Sequence, residues 1–185
     1  MKTRMLILAA PSGAGKSSFV ERITKEEARL VDTVTYTTRK IRRGESQGNP
    51  YHFVSVEEFK AKIADNFFVE WAVVHENMYG TPYYQLEDAW IQGKCVIMDV
   101  DIQGADTFKA KYPDAVTVFI LPPSIDELRR RIEKRDGGIP ADIEVRMQNA
   151  EREMAVAHKF DYKIVNDVFD KSYAEFKKIV ETLLS

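Results

Sequence analysis

The 185-residue chain has one cysteine, three histidines and no apolar run long enough to cross a bilayer, and each shortage closes off a class of function. A lone Cys95 excludes an intrachain disulfide and suits a reducing compartment, and its place in the apolar run Cys95-Val-Ile-Met98 makes it a small core residue. His52, His75 and His158 stand at no metal-ligand spacing with that cysteine, so no zinc site is expected. Net charge is also scarce: a balance of −2 argues against a general binder of nucleic acid or anionic membrane. The aromatics do not alternate with a basic stripe, which disfavours an RNA-stacking platform. Lys2 and Arg4 ahead of Met5–Ala10 imitate a secretory signal, but the apolar stretch is too short for one. A cytoplasmic protein without internal repeats, binding neither nucleic acid nor membrane and needing no obligate protein partner, is the expectation.

What is present is concentrated near the start. An apolar strand, Leu6-Ile-Leu-Ala-Ala10, feeds into Pro11-Ser-Gly-Ala-Gly-Lys-Ser17, a glycine-rich turn ending in Lys-Ser. Gly13 and Gly15 allow backbone N–H groups to converge without a Cβ in the way, and the helix that follows aims its free amides at the same point. The ligand is therefore a polyphosphate, held by Ser12, Gly13, Ala14, Gly15, Lys16, Ser17 and Ser18. Lys16 reaches its β- and γ-phosphates, and the Ser17 hydroxyl is placed to ligate magnesium. Ala10 stands where the consensus loop opens with glycine.

Further along, hydrophobic periodicity alternates between strand and helix. A helix runs from Ser18 to Lys25 and a strand from Leu30 to Thr35, followed by a basic loop with Gly44, Gly48 and Pro50 and a short strand at Tyr51–Val54. Ser55-Val-Glu-Glu58 and Ser124-Ile-Asp-Glu127 are capping boxes that open helices ending near Asp65 and Arg135. Strands at Phe67–Val74, Cys95–Val100, Ala115–Ile120 and Tyr162–Val165 are separated by helices at Pro82–Gln92, Gln103–Lys111 and Ala141–His158, with a last helix from Lys171. The pattern predicts an α/β fold: a phosphate-loop core with a parallel sheet flanked by helices, interrupted by a small insertion.

Thr37-Thr-Arg-Lys-Ile-Arg-Arg-Gly-Glu45, Gly48-Asn-Pro-Tyr-His-Phe53, Phe68-Val-Glu-Trp-Ala72, Tyr79-Gly-Thr81 and Ile97-Met-Asp-Val-Asp-Ile-Gln-Gly104 together resemble the ordered motif series of guanylate kinases. The resemblance covers most of the chain. It implies one domain with a nucleotide-binding core (1–35, 82–124 and 156–185), a GMP-binding insertion (36–81) and a helical lid (125–155). The implied reaction is ATP plus GMP giving ADP and GDP, with Mg2+ as cofactor.

The residue types suit that chemistry. Arg39 and Arg42 are paired guanidinium forks for a phosphate dianion, and Tyr51 and Tyr79 add O–H donors; the resemblance assigns all four to the GMP phosphate. It assigns the base to Thr35, Glu70, Thr81 and the adjoining Gly80. A carboxylate offers only acceptors, guanine presents N1–H and an amine as neighbouring donors, and adenine has an acceptor at N1, so Glu70 selects guanine. Asp99 and Asp101 follow an apolar strand at the carboxyl end where such sheets bind ligands. The resemblance gives Asp101 the task of organising GMP and hydrated magnesium, with Asp99 as its partner. Arg131 and Arg135, one helical turn apart, and Arg146 resemble lid arginines that neutralise the transferring phosphoryl group. Asn166 resembles a residue bordering adenine. Asp136-Gly-Gly-Ile-Pro140 departs from the family's usual Arg-Gly continuation. Two other readings share parts of the pattern: a non-catalytic phosphopeptide-binding module, and a kinase acting on a ribosyl phosphate.

Overall fold

The computed structural model describes residues 4–42, 44–74 and 76–185. Lys2, Arg43 and His75, which figure in the sequence reading, lie outside them. In chain order the elements are β1 (Met5–Ala9), α1 (Lys16–Glu26), β2 (Leu30–Asp32), β3 (Tyr36–Thr37), β4 (Ser46–Gln47), β5 (Pro50–Phe53), α2 (Val56–Ala64), β6 (Phe68–Val74) and β7 (Asn77–Pro82). They continue with α3 (Tyr83–Ile91), β8 (Cys95–Asp99), α4 (Ile102–Lys111), β9 (Val116–Leu121), α5 (Ile125–Asp136), α6 (Ile143–Ala155), β10 (Tyr162–Val165) and α7 (Phe169–Leu184).

Five strands form a parallel sheet in the order β10-β9-β1-β8-β2. Every residue of β1 is buried, and the period-two alternation divides them between two cores. Leu6 and Leu8 pack with Phe19, Ile23, Leu128, Met147 and Phe176 on one face; Met5 and Ile7 pack with Leu86, Trp90 and Phe108 on the other. Each such side chain contributes roughly 1.5–3 kcal/mol on burial, so the central strand is the most strongly held segment. Its carboxyl end, flanked by β8 and β9, is thereby a rigid platform for the loop that follows.

The second sheet, β4-β5-β3-β7-β6, is mixed. Its small core is aromatic: Phe59 of α2 stacks on Phe68 at 4.6 Å between ring centroids, and Tyr36 and Phe67 meet Phe68 edge-on. α2 begins at a complete capping box, with Glu58 N donating to Ser55 Oγ and Ser55 N donating to Glu58 Oε2.

Several expectations are corrected. The strand foreseen over 30–35 stops at Asp32, because the chain leaves the parallel sheet there and Gln85 of α3 takes both the N–H and the C=O of Val34. β7, the antiparallel partner of β6, is missing from the sequence reading; its Tyr79-Gly-Thr81 lacks strand-like apolar alternation. The second capping box is half made: Ser124 Oγ accepts from Glu127 N, but the Glu127 carboxylate is drawn away to Arg130 and Arg131. The helix foreseen over 141–158 is α6 followed by a short 3-10 turn at Ala157–Lys159.

Gly80 sits where a Cβ would lie 2.9 Å from Phe68 and 3.0 Å from Phe59. Gly80→Ala is expected to overpack the aromatic core and cost about 1–3 kcal/mol. Chemical denaturation measures this; an unchanged midpoint would mean that the rings yield freely.

Candidate functional site

One cleft, of about 570 Å³, lies between the carboxyl edge of the parallel sheet and the second sheet. Its floor is the turn between β1 and α1. Gly13 and Gly15 both have φ +93°, the left-handed region open to glycine, and a Cβ on either would collide, with Ile132 at 2.7 Å or Asn166 Nδ2 at 2.8 Å. The loop is thus held from behind as well as shaped from within. Asn166 Nδ2 donates to Ala14 O at 2.8 Å, buried, so this side chain fixes the loop.

Ser12, Gly13, Gly15, Lys16, Ser17 and Ser18 line the cleft. Lys16 Nζ donates to Val100 O at 2.8 Å and lies 4.0 Å from Asp99 Oδ2. Ser17 Oγ donates to Asp99 Oδ2 at 2.8 Å. Asp101 instead serves α4: it is the N-cap residue, and its Oδ1 accepts from Gly104 N at 2.7 Å. The carboxylate standing beside the loop hydroxyl is therefore that of Asp99, one full pleat before Asp101.

Across the cleft are Thr35, Arg42, Tyr51, Glu70, Tyr79 and Thr81. Thr81 Oγ1 lies 3.3 Å from Glu70 Oε1. Burial pushes the Glu70 carboxyl up to about 7, against the hydrogen bond from Thr81; Asp101 adds to the rise and Lys111 opposes it. Burial, with Asp99 nearby, pushes the Tyr51 phenol up to about 12, so it stays a donor. Arg39 is not among the side chains lining the cleft: its guanidinium donates to Glu45 Oε1 at 2.8 Å and lies 5.3 Å over the ring of Tyr51, which does line it. Glu45 also accepts from Arg42 N, which ties the two arginines into one turn, and Arg39 holds its carboxyl below the usual range. Glu45 stood in the sequence motif without a role; its position three residues after Arg42 in a turn was the available signal.

Of the arginines on α5 and α6, Arg135 reaches the cleft. Its Nε donates to Asp136 Oδ1 at 2.7 Å. Arg146 pairs with Asp142 at 2.9 Å and Asp136 at 3.1 Å, and Arg131 with Glu127 at 2.9 Å and Asn166 O at 3.0 Å. Gly80 and Ala14 lie behind the cleft wall, the first against Phe59 and Phe68. Glu153 of α6, unremarked in the sequence, lines the cleft, and burial raises its carboxyl while Lys16 opposes the rise. Among the described residues no group of three His, Cys, Asp or Glu side chains could hold a metal by itself. Nor is any helix long and apolar enough to cross a membrane.

A family model described as guanylate kinase matches residues 2–183. The guanylate kinase of Bdellovibrio bacteriovorus is 71% identical over 185 residues, all of both chains, and that of Shewanella oneidensis is 46% identical over 96% of this chain and 86% of its own. The crystal structure of guanylate kinase from Anaplasma phagocytophilum superposes with a TM-score of 0.79 at 31% identity, covering 97% of this chain and 85% of that one. A gluconokinase from Sinorhizobium meliloti, at TM-score 0.51 and 14% identity, shares the fold alone.

Glu70 makes a thermodynamic prediction. Folded, its carboxyl keeps a proton up to about 7, against an ordinary value of 4.5, so the folded state binds more protons in that window and loses stability as pH rises through it. Glu70→Gln does not titrate. It is expected to stabilise the ligand-free protein by up to about 2–3 kcal/mol above the window and by nothing below it. Thermal unfolding across pH reads the difference; a gap independent of pH would refute it.

Proposed function

As the chain belongs to the guanylate kinase family and converts ATP and GMP to ADP and GDP, we propose an in-line transfer between a donor held by the β1–α1 loop and a GMP held by the second sheet. The observation that carries this reading is the meeting, in one cleft, of the phosphate loop with Glu70, whose ionised carboxylate offers only acceptors. The core, the insertion 36–81 and the lid 125–155 are the three parts that work together. A cytoplasmic setting fits the buried free thiol of Cys95.

The attacking GMP phosphate oxygen is ionised near neutral pH, so the site has to align and neutralise rather than remove a proton. Lys16 leaves the Val100 carbonyl for the β- and γ-phosphates. Arg42, Tyr51 and Tyr79 grip the GMP phosphate, joined by Arg39 once it exchanges Glu45 for that dianion. Glu70 takes the N1–H and amine of guanine, with Thr81 and Thr35 at the base edge. Arg135 already lines the cleft; it, Arg131 and Arg146 would exchange their carboxylates for phosphate. Asp101 orders the start of α4 against the acceptor, and Asn166 supports the loop from beneath.

The Ser17 hydroxyl and Asp99 carboxylate fit Mg2+, being hard oxygen donors that leave the remaining coordination to water and phosphate. When bound there, the ion would neutralise phosphate charge. Of the two aspartates, Asp99 is the one whose carboxylate meets Ser17, which favours it over Asp101 as the protein ligand.

An acceptor screen with ATP and magnesium tests the reading: GMP is to be used well, AMP and a ribose phosphate poorly. Lys16→Ala should abolish most turnover while leaving GMP binding intact, as measured by calorimetry. Glu70→Gln should lower kcat/KM for GMP about ten- to a hundredfold and for AMP much less, since a charge-assisted hydrogen bond contributes about 1.5–3 kcal/mol. Equal losses with both acceptors would make Glu70 a structural residue.

A further inference from the structure

The register between β6 and β7 shifts by one beside Glu70. Phe68 pairs with Pro82 and Glu70 with Thr81, leaving Val69 as the extra residue of a β-bulge. The consequence is visible in burial: Phe68 and Val69 are both buried, after which Glu70, Ala72 and Val74 all face the cleft and Trp71 and Val73 face outward. Without the extra residue, Glu70 would lie on the opposite face.

A bulge that aims a side chain also frees a backbone group from the ladder. Val69 is 1% exposed, and its carbonyl accepts from the Nζ of Lys111, the last residue of α4. The same ammonium lies 5.7 Å from the centre of the Tyr83 ring. Glu70 and Lys111 also share a recess of about 330 Å³ behind the cleft. One helix therefore touches the neighbourhood of Glu70 at both ends, Asp101 at its start and Lys111 at its finish.

We propose that Lys111 is a positioning residue for guanine selection: it satisfies the carbonyl freed by the bulge, so fixing the direction of Glu70, and it keeps a positive charge behind that carboxylate. The proposal rests on the reading of Glu70 as the group that recognises the base. Among the described residues, the charged groups acting on Glu70 are Asp101 and Lys111, the N-cap and last residue of α4, while β7 supplies the uncharged Thr81. Burial and Asp101 favour the protonated carboxyl, and Lys111 opposes them. A protonated Glu70 offers a donor that suits N1 of adenine and repels N1–H of guanine. Lys111 thus biases the site toward the ionised form that guanine requires.

The test is kcat/KM for GMP and AMP as a function of pH in the wild type, Lys111→Met, Lys111→Arg and Glu70→Gln. Ionisation of the nucleotide phosphate is common to all four and cancels in the comparison. Lys111→Met is expected to move the acid limb for GMP to higher pH by about half a unit to one unit. It should raise KM for GMP about two- to fivefold near neutrality, with kcat and KM for ATP nearly unchanged, and narrow the preference for GMP over AMP. Lys111→Arg should restore the wild-type profile. If Lys111→Met does not fold, Lys111→Gln, which keeps a donor for the Val69 carbonyl but drops the charge, carries the same pH comparison. An acid limb and a GMP to AMP ratio identical to wild type would overturn the proposal, as would a loss confined to kcat or to ATP. If Glu70→Gln leaves the ratio unchanged, the reading of Glu70 itself is what fails.

Discussion

Much of this molecule depends on one buried hydrogen bond, from Asn166 Nδ2 to the carbonyl of Ala14. It joins the segment after the last strand to the loop after the first, across a sheet in which β9 separates the two. The loop must keep a cluster of amides converging on one point, with two of its glycines in the left-handed region. Its stiffness is therefore imported. Asn166 and Ile132 fill the space a Cβ would need at Gly15 and Gly13, and the buried β1 fixes where the loop starts. Preorganisation of this kind matters because an amide already aimed at a phosphate needs no rearrangement at the moment of transfer.

The positive charge around the cleft is arranged on the opposite principle. Arg39, Arg131, Arg135 and Arg146 each hold a carboxylate: Glu45, Glu127, Asp136 and, for Arg146, Asp142 as well as Asp136. The pairs of Arg131, Arg135 and Arg146 are partly exposed and have small net free energies, so a phosphate with greater charge can displace the carboxylate at little cost. Asp136 is notable because it collects two arginines, and it occupies the place where the lid sequence departs from the pattern it otherwise resembles. The loop is pinned from behind and these arginines are held by carboxylates, so the site combines a fixed part with one whose partners can be exchanged.

The sequence was most legible where chemistry and local structure coincide. A strand, two glycines and Lys-Ser announce the phosphate loop, and Ser55-Val-Glu-Glu58 announces α2, because each signal is contained within a few residues. It was least legible where a residue's task is set by a distant partner. Tyr79-Gly-Thr81 reads as a strand only once β6 lies beside it, and Gly80 is small because Phe59 and Phe68 occupy the space, two rings that no spacing rule connects to it. The resemblance put Asp101 ahead of Asp99. The hydrogen bond from Ser17, 82 positions away, falls on Asp99 instead. Asn166 and Lys111 act through backbone carbonyls of Ala14 and Val69, contacts that leave no mark in the sequence.

Val69 has a mechanical side. Its side chain belongs to the core beneath the parallel sheet, whereas Phe68, its neighbour, belongs to the aromatic core of the second sheet. Two adjacent residues of one strand are thus seated in two different cores, and pulling Val69 out of its socket would expose apolar surface at a cost of about 1.5–3 kcal/mol. β6 is consequently the strand of the second sheet pinned to the neighbouring core, and β5 and β4 lie farthest from that pin in the strand order. Glu70 follows the pinned residue directly, whereas Tyr51 is separated from β6 by β3 and β7. A carboxylate set one step from such an anchor has its place fixed by two cores at once.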